Sequence, residues 1–309
     1  MGFGTWGTVA LKALINADYK IPLVITHPQS NHPYEQIWND SVAKLAQENR
    51  IPIIERKYAN DTDIEKLLEE IEPTIILSSN WRTWLSPKIL SIPKLGGINI
   101  HDAPLPRYAG FAPINWAIIN GENRTGVTAH MMAEDFDTGD IICQKFVAID
   151  TNETATDIFY KTLPLFGELA LESVSKLISG NVKLIKQDLS QKTFFHKRSI
   201  ADSKINWNLS RETIHNLVKA QSDPYPNAFT YYNSALVKIK STELTDEFYG
   251  GTPGRVFSVL EEGVVVTCGN VYGKSNQGLL IKKLELQDGK LINANQFINK
   301  AGTYIGGEG

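Results

Sequence analysis

The sequence predicts an α/β protein in two parts, a doubly wound, largely parallel sheet followed by a small β-barrel-like C-terminal domain. Over residues 1–185, short apolar runs alternate regularly with helical segments, a pattern typical of parallel sheets covered by helices. Over residues 204–309, short apolar runs are separated by glycine-containing turns, which is typical of small barrels. Residues 186–203 between them are polar and rich in lysine, so we interpret them as a linker.

The helices and strands of the first part follow from apolar periodicity and from signals at their ends. Asp61 is suited to cap the helix that follows it, and Pro113 suits the first turn of another. The predicted helices cover residues 8–17, 40–49, 61–70, 112–120 and 156–179. The predicted strands cover residues 21–26, 51–54, 74–78, 98–101, 127–132 and 141–149.

The second part is predicted to hold one helix and a series of short strands. The helix covers residues 211–220. The strands cover residues 228–232, 237–241, 254–259, 263–267 and 278–286. Several short strands in so few residues are the reason for expecting a barrel-like arrangement.

Composition and charge exclude several classes of protein. The chain has 309 residues, a formal net charge of −3 and only two cysteines, which cannot form a disulfide scaffold, so we expect a reducing, cytoplasmic setting. No apolar run approaches the roughly 18 residues of a membrane span, and we expect no membrane partner. The absence of a basic excess argues against general nucleic-acid binding, although a local basic patch would be hidden in the average.

The N-terminal glycines Gly2, Gly4 and Gly7 have the spacing of a dinucleotide-binding fingerprint. That fingerprint needs a strand before it and a helix after it. A helix is predicted to follow, but no residues precede the glycines in this sequence to form the strand. Two interpretations stay open, a start codon that is placed too late or a sheet that has lost an element, and a nicotinamide site becomes a disfavoured alternative.

The most informative residues are Asn99 and His101, at the end of the predicted strand 98–101. Side chains two apart on a strand point to the same face. An amide offers hydrogen-bond donors and acceptors, and an imidazole can carry a proton near neutral pH. Since open α/β sheets bind ligands beyond the carboxyl ends of their strands, this pair marks a candidate site.

An acidic loop follows the predicted strand 127–132 and contains Glu134, Asp135, Asp137 and Asp140. Three interpretations stay open: a solvated loop, a Mg²⁺ or Ca²⁺ site, or a loop in which one carboxylate is catalytic. His130, on the strand before the loop, is more typical of a residue satisfied by its neighbours than of a catalytic base.

Three segments together resemble the formyltransferases that use 10-formyltetrahydrofolate, the methionyl-tRNA formyltransferase family with its sugar-amine and hydroxyornithine relatives. Residues 99–101 match the family's Asn-x-His, residues 104–110 (Pro-Leu-Pro-Arg-Tyr-Ala-Gly) its Pro-rich turn, and residues 137–140 (Asp-Thr-Gly-Asp) its acidic loop, in the same order and at the same spacing. The resemblance extends through residues 202–207, 223–229 and 251–256, and so over nearly the whole chain.

This resemblance implies an enzyme that moves a formyl group from 10-formyltetrahydrofolate to an amine and needs no metal. Asn99 would stabilise the oxygen as it gains charge, His101 would hold or relay a proton, and Asp137 would orient His101 or a water and help deprotonate the amine. The folate would contact the loop after strand 74–78 and the acidic loop, although the alternative of an exposed loop whose tryptophans pack on the core stays open. The implied folate-binding residues are Trp81, Arg82, Trp84, Leu85, Glu134, Asp135 and Phe136.

The acceptor stays open between initiator methionyl-tRNA, with a role in protein biosynthesis, and a small amine such as a nucleotide-linked amino sugar or hydroxyornithine. Hydrolysis of the donor is a further alternative. The full-length resemblance favours tRNA, but residues 26–35, where the tRNA enzymes carry a basic loop, contain no lysine or arginine, and phosphate contacts need cations. If the acceptor is tRNA, the cations would have to come from the C-terminal domain and from Lys183, Lys186, Lys192, Lys197 and Arg198.

Overall fold

The computed structural model describes residues 1–31, 36–269 and 275–306, so part of the 26–35 loop and the last residues of the predicted C-terminal domain lie outside the described residues. The helices are α1 (Gly4–Asn16), α2 (Val42–Glu48), α3 (Thr62–Ile71), α4 (Pro87–Ser91), α5 (Pro113–Ile119), α6 (Ala155–Ile178), α7 (Arg211–Ala220) and α8 (Ala294–Phe297). The strands are β1 (Val24–Thr26), β2 (Ile53–Glu55), β3 (Ile76–Ser79), β4 (Gly97–His101), β5 (Ala109–Gly110), β6 (Arg124–Met131), β7 (Ile141–Ala148), β8 (Phe194–Phe195), β9 (Ala228–Tyr232), β10 (Ala235–Leu244), β11 (Val256–Leu260), β12 (Gly263–Thr267), β13 (Gly278–Glu285) and β14 (Leu291–Asn293).

The sheet of the first unit is largely parallel, as the sequence predicts. β2 pairs with β1, and β3 pairs with β4, in parallel, while β6 runs antiparallel to both β4 and β7. The order β3-β4-β6-β7 places β4 in the interior of the sheet. The predicted cap of α3 is also confirmed, because the Asp61 carboxylate accepts hydrogen bonds from the backbone of Asp63 and Ile64.

Residues 1–3 supply an N-terminal element of the sheet, a point that the sequence leaves open. Gly2 forms parallel bridges to Thr26 of β1 and to Ser79 of β3. The Gly2 N–H donates to the Ile25 carbonyl (3.1 Å), and the Phe3 N–H donates to the Ser79 carbonyl (3.2 Å). Residues 1–3 are therefore enough to join the two pairs of strands into one sheet, because a single extended residue can bond on both of its sides.

The glycine turn at the start of α1 is closed by the protein itself. The Thr5 N–H, one of the first amides of the helix, donates to the Trp38 carbonyl (2.8 Å). Binding of a dinucleotide at such a turn depends on free amides at the helix N-terminus that face the phosphates. The structure therefore argues against the nicotinamide alternative.

The core of the first unit decides which way the site faces. Ile98 and Ile100 of β4 are buried with Phe166 of α6 in one apolar cluster. Alternation along the strand directs Asn99 and His101 to the opposite face, and both are only partly buried. Burial of the two isoleucines thus fixes the register that presents the polar pair.

The second unit comprises Ile114–Asn123, Ile149–Asp157 and the chain from Arg198 onward. Its strands form an antiparallel sheet in the order β11-β12-β13-β10-β9, with β14 beside β13, and the fold class predicted for the C-terminal part is confirmed. Nearly all of α5 belongs to this unit, where the Asn115 amide donates to the Ala220 carbonyl (2.6 Å). Contacts therefore divide the chain differently from the predicted ranges 1–185, 186–203 and 204–309, which remain a prediction. In the part of the chain that is described, no helix is both long and apolar enough to cross a membrane.

Candidate active site

β4 and β6 bring the first two polar side chains of the site together. Asn99 and His130 are register partners on these strands, and the Asn99 Nδ2 lies 3.2 Å from the His130 Nε2. The His130 Nδ1 lies 2.8 Å from the Met131 carbonyl, which places a proton on Nδ1 and leaves Nε2 to accept from Asn99. Both ring nitrogens of His130 have hydrogen-bond partners, as expected, and one of these partners is the predicted catalytic residue Asn99.

Asp137 completes the site from the acidic loop after β6. Its Oδ1 lies 3.4 Å from the Asn99 Nδ2, 3.8 Å from the His101 Nδ1 and 3.6 Å from the His130 Nε2. Its Oδ2 accepts a hydrogen bond from the Gly110 N–H (3.0 Å). The structure therefore brings all three predicted catalytic residues together around one carboxylate oxygen, and adds His130.

The electrostatics of the site hold Asp137 as an anion. Burial alone would raise the pKa of Asp137, but the charge of His101, the contact with His130 and the Gly110 N–H outweigh it and hold that pKa well below its usual range. The His101 Nε2 lies 3.1 Å from the Tyr108 carbonyl. The two ring nitrogens of His101 therefore lie on different partners, Nε2 at hydrogen-bond distance from a carbonyl oxygen and Nδ1 3.8 Å from the Asp137 carboxylate.

Asp102 is a feature of the site that the sequence analysis missed. Its Oδ2 accepts from the Trp6 indole N–H (3.1 Å), whereas its buried Oδ1 has no hydrogen-bond partner. Burial raises the pKa of Asp102 to about 6, against the lowering effects of the Trp6 hydrogen bond, the charge of His101 and the Thr162 hydroxyl. The signal that could have found Asp102 is its position directly after His101.

The two loops predicted to bind folate meet each other. The Trp84 indole N–H donates to the Glu134 carbonyl (2.8 Å), which links the loop after β3 to the acidic loop. Trp84 is 40% exposed and Phe136 49% exposed, and the side chains of Glu134 and Asp135 are exposed. Flat rings with free faces beside backbone polar groups are what a flat heterocycle needs.

The other predicted folate-binding residues are held by contacts within the protein. Trp81 stacks on the His27 ring with ring centroids 3.9 Å apart. The backbone N–H of Arg82 donates to the Nε2 of the same imidazole (3.1 Å). The Arg82 guanidinium lies 4.6 Å from the centre of the Phe3 ring. Leu85 is only 2% exposed and packs in the core, so its side chain supports the loop from beneath.

Residues 185–195, here called the strap, are built into the site, although the sequence suggests a linker over most of them. Ile185 forms an antiparallel bridge with Ile141 at the start of β7. The buried Gln187 side chain donates to the Asp137 carbonyl (3.0 Å) and to the Gly139 carbonyl (2.7 Å). This end of the strap therefore fixes the backbone that carries the site carboxylate.

The other end of the strap holds the Pro-rich turn. β8 pairs in parallel with β5, and the Ala109 N–H donates to the Thr193 carbonyl (2.9 Å). Gly110 has φ +92°, and a Cβ there would lie 2.5 Å from the Phe195 carbonyl oxygen, so glycine is required at this close approach. The strap thus joins the two loops that contact the site, and nothing in its polar sequence indicates this role.

Within the described residues, no group of three or more His, Cys, Asp or Glu side chains is arranged to hold a metal ion. The carboxylates of the acidic loop differ in burial: Asp137 is buried, whereas Glu134 and Asp135 are exposed.

Comparison with known proteins gives two family matches and a set of similar structures. A model described as formyl transferase matches residues 2–171, and one described as formyl transferase, C-terminal domain, matches residues 198–302. WlaRD, a sugar 3N-formyl transferase crystallised with dTDP and 5-N-formyl-THF, is 24% identical over 91% of this chain and 95% of its own, with a TM-score of 0.65. An N-formyltransferase from Helicobacter canadensis, in complex with folinic acid and dTDP-3-aminofucose, is 23% identical over 91% and 97%, with a TM-score of 0.66. The methionyl-tRNA formyltransferase from Clostridium thermocellum is 21% identical over 74% and 95%, with a TM-score of 0.52.

Proposed function

This chain belongs to the formyl transferase family, and we propose that it moves a formyl group from 10-formyltetrahydrofolate to the amine of a nucleotide-linked amino sugar. The observation that carries formyl transfer is the convergence of Asn99, His101 and Asp137 at the end of β4. An amide, an imidazole and a buried carboxylate supply the donors, the mobile proton and the fixed charge that acyl transfer between two nitrogens requires.

The geometry suggests a division of labour among the three residues. The nitrogen of the acceptor amine attacks the formyl carbon, and the carbonyl electrons move to the oxygen. The Asn99 N–H that faces Asp137 makes the longer of the two Asn99 contacts, 3.4 Å, and can turn to the developing oxyanion. In comparable sites such a hydrogen bond stabilises the transition state by about 3–4 kcal/mol. His101 gives its proton to the folate nitrogen as the old C–N bond breaks, and then takes the proton that the new amide nitrogen loses.

Asp137 is suited to hold charge rather than to accept a proton. A carboxylate whose pKa is held well below its usual range is a weak base. Its Oδ1 lies 3.8 Å from the His101 Nδ1, where it can orient the ring, and Gly110 fixes its second oxygen. This argues against the role in deprotonating the amine that the resemblance allowed.

The distribution of cations favours a small acceptor over tRNA. Residues 26–35 carry no lysine or arginine. Arg198, one of the candidate cations for tRNA, is 4% exposed. It donates to the Asp202 carbonyl (2.9 Å) and lies over the Trp116 ring. Two similar structures that each cover 91% of this chain are described with dTDP or a dTDP-linked amino sugar, which supports the choice of acceptor.

The test uses the purified full chain with 10-formyltetrahydrofolate and separate acceptors. We expect dTDP-3-aminofucose or a related nucleotide-linked amine to gain a formyl group, detected by mass spectrometry, at catalytic enzyme concentrations. Calorimetry should show saturable binding of 5-formyltetrahydrofolate, an unreactive mimic of the donor, and none of NAD. Formate release without any formylated amine would contradict the proposal and indicate a hydrolase.

Methionyl-tRNA is the second candidate acceptor, since one similar structure is a methionyl-tRNA formyltransferase. Binding of tRNA would fall steeply with salt, because each neutralised phosphate releases a counterion. Efficient, salt-sensitive formylation of initiator methionyl-tRNA would overturn the choice of a small acceptor and would assign the enzyme to protein biosynthesis.

A further inference from the structure

We propose that the strap and the Pro-rich turn form the acceptor subsite, in which Phe194 stacks on the nucleotide base while Lys192 and Arg107 bind the phosphates. This inference rests on the proposed function, since it takes the acceptor to be a nucleotide-linked amine. It assigns binding residues to a segment that the sequence alone presents as a linker.

The order of strands gives the site two flanks. On the β3 side, the loop after β3 contacts the acidic loop, because its Trp84 indole N–H donates to the Glu134 carbonyl. We call this side the Trp84 flank. On the β7 side, the strap begins at the bridge between Ile185 and Ile141. Asn99 and His101 end the strand between these flanks, with β3 on one side and β6 and β7 on the other. If folate takes the Trp84 flank, the strap is the flank that remains for the acceptor.

Phe194 is an exposed ring that packs next to Gly110, the glycine that holds the catalytic carboxylate. Its ring is packed on the backbone of Gly110, where the nearest ring carbon is 3.1 Å from a Cβ built on the glycine. The N–H of the same glycine holds Asp137. Phe194 is nevertheless 54% exposed, and Phe111, the residue after Gly110, is 40% exposed. Exposed aromatic rings grouped at a polar site are typical of ligand-binding surfaces.

Cations accompany the rings on this flank. The Lys192 Nζ lies 5.5 Å from the centre of the Phe194 ring and donates to the Phe136 carbonyl (3.0 Å). The Arg107 guanidinium lies 5.5 Å from the centre of the Tyr108 ring, which stacks on Phe195 with centroids 5.1 Å apart.

Asp188 is the carboxylate of the strap, and its charge is satisfied locally. Its oxygens accept hydrogen bonds from Ser190 and Gln191. The flank therefore offers flat apolar faces with two positive charges. A base joined to a diphosphate has the complementary shape and charge.

The test compares Phe194→Ala and Lys192→Gln with a matched control, Phe146→Ala. Phe146 is a 49% exposed phenylalanine on β7, and Arg124 lies over its ring at 4.9 Å, but it has no part in the proposed subsite. We expect Phe194→Ala to weaken dTDP binding and to raise the acceptor KM by about tenfold or more, as loss of a base–ring stack does. Lys192→Gln should weaken dTDP binding more than it weakens binding of the nucleoside thymidine. Phe194→Ala should leave the Kd of 5-formyltetrahydrofolate unchanged.

The outcomes separate this inference from the proposed function. If the wild type formylates the nucleotide-linked amine while Phe194→Ala behaves like Phe146→Ala, the subsite is wrong and the function stands. If the wild type formylates hydroxyornithine and does not bind dTDP, both the subsite and the nucleotide-linked acceptor are wrong, and formyl transfer stands. Phe194→Leu keeps the apolar volume without the aromatic face, so the same loss in this variant supports stacking even if Phe194→Ala folds poorly.

Discussion

Replacing Asp102 by Asn should stabilise the protein at neutral and alkaline pH. The Asp102 carboxyl is enclosed beside Trp6, and its Oδ1 has no hydrogen-bond partner. Folding at neutral pH therefore moves a charge into a place where it is poorly solvated. Asparagine has nearly the same shape, carries no charge and can still accept the Trp6 indole N–H.

The size of the effect follows from the pKa of Asp102, which burial raises from 3.8 to about 6. At 1.36 kcal/mol per pKa unit, the shift corresponds to a destabilisation of about 2–3 kcal/mol above pH 6. The sign follows from proton binding. Between about pH 4 and pH 6 the folded protein holds a proton that the unfolded chain has lost, so the free energy of unfolding decreases as the pH rises through this window. Well below pH 4 both states are protonated and the penalty is absent, and at pH 4 only a small part of it, under about 1 kcal/mol, remains.

Urea denaturation of the full chain at pH 4 and at pH 8 measures this difference. We expect Asp102→Asn to have a higher free energy of unfolding than the wild type at pH 8, by about 2–3 kcal/mol, and to exceed it by under about 1 kcal/mol at pH 4. The control is Asp40→Asn, which removes one exposed carboxylate from the same unit. A variant no more stable than the wild type at pH 8, or equally stabilised at both pH values, would refute the reasoning.

Three further predictions follow from contacts around the site. Gly110→Ala should lower the free energy of unfolding by at least about 2 kcal/mol more than Gly180→Ala does. Both glycines have positive φ, but only at Gly110 would a Cβ meet another residue, Phe195. Thermal unfolding of both variants measures the difference. Trp84→Phe, which loses the indole N–H that bonds the acidic loop, should weaken 5-formyltetrahydrofolate binding by about fivefold to tenfold in calorimetry, and unchanged binding would contradict the placing of folate on that flank. Gln187→Leu, which loses both hydrogen bonds to the acidic loop, should lower kcat by about tenfold or more with a smaller change in KM, measured by steady-state kinetics; a rise in KM alone would count against a positioning role.

The sequence indicates much of the fold because its signals are local. The alternation of apolar runs identifies the strands on either side of Asn99, and α7 has the predicted bounds Arg211–Ala220. The proposed trio is indicated by the strand face that Asn99 and His101 share and by the resemblance of the acidic loop to that of the family, and its catalytic role stays a prediction. Asp137 is placed near them by the antiparallel neighbour β6, whose register is set by burial.

What the sequence does not reveal depends on contacts between distant segments. Residues 1–3 complete the sheet through bonds to Thr26 and Ser79, and no apolar run of their own marks them as a strand. The strap has a polar composition, yet Gln187 reaches the backbone of a loop 48 residues earlier in the chain. Asp102 looks like an ordinary turn residue until Trp6 is seen to close over it. Long-range packing of this kind leaves no periodic signature.

The most direct test of the central claim is the rate of formyl transfer from 10-formyltetrahydrofolate in single turnover, for the wild type and for Asn99→Ala, His101→Ala and Asp137→Asn. Each change should lower the rate by at least about a hundredfold, or about 2.7 kcal/mol, because each removes a group that acts on the transition state. Folding should persist in all three variants, and Asp40→Asn should keep the wild-type rate. A His101→Ala enzyme that transfers the formyl group at close to the wild-type rate would contradict the account.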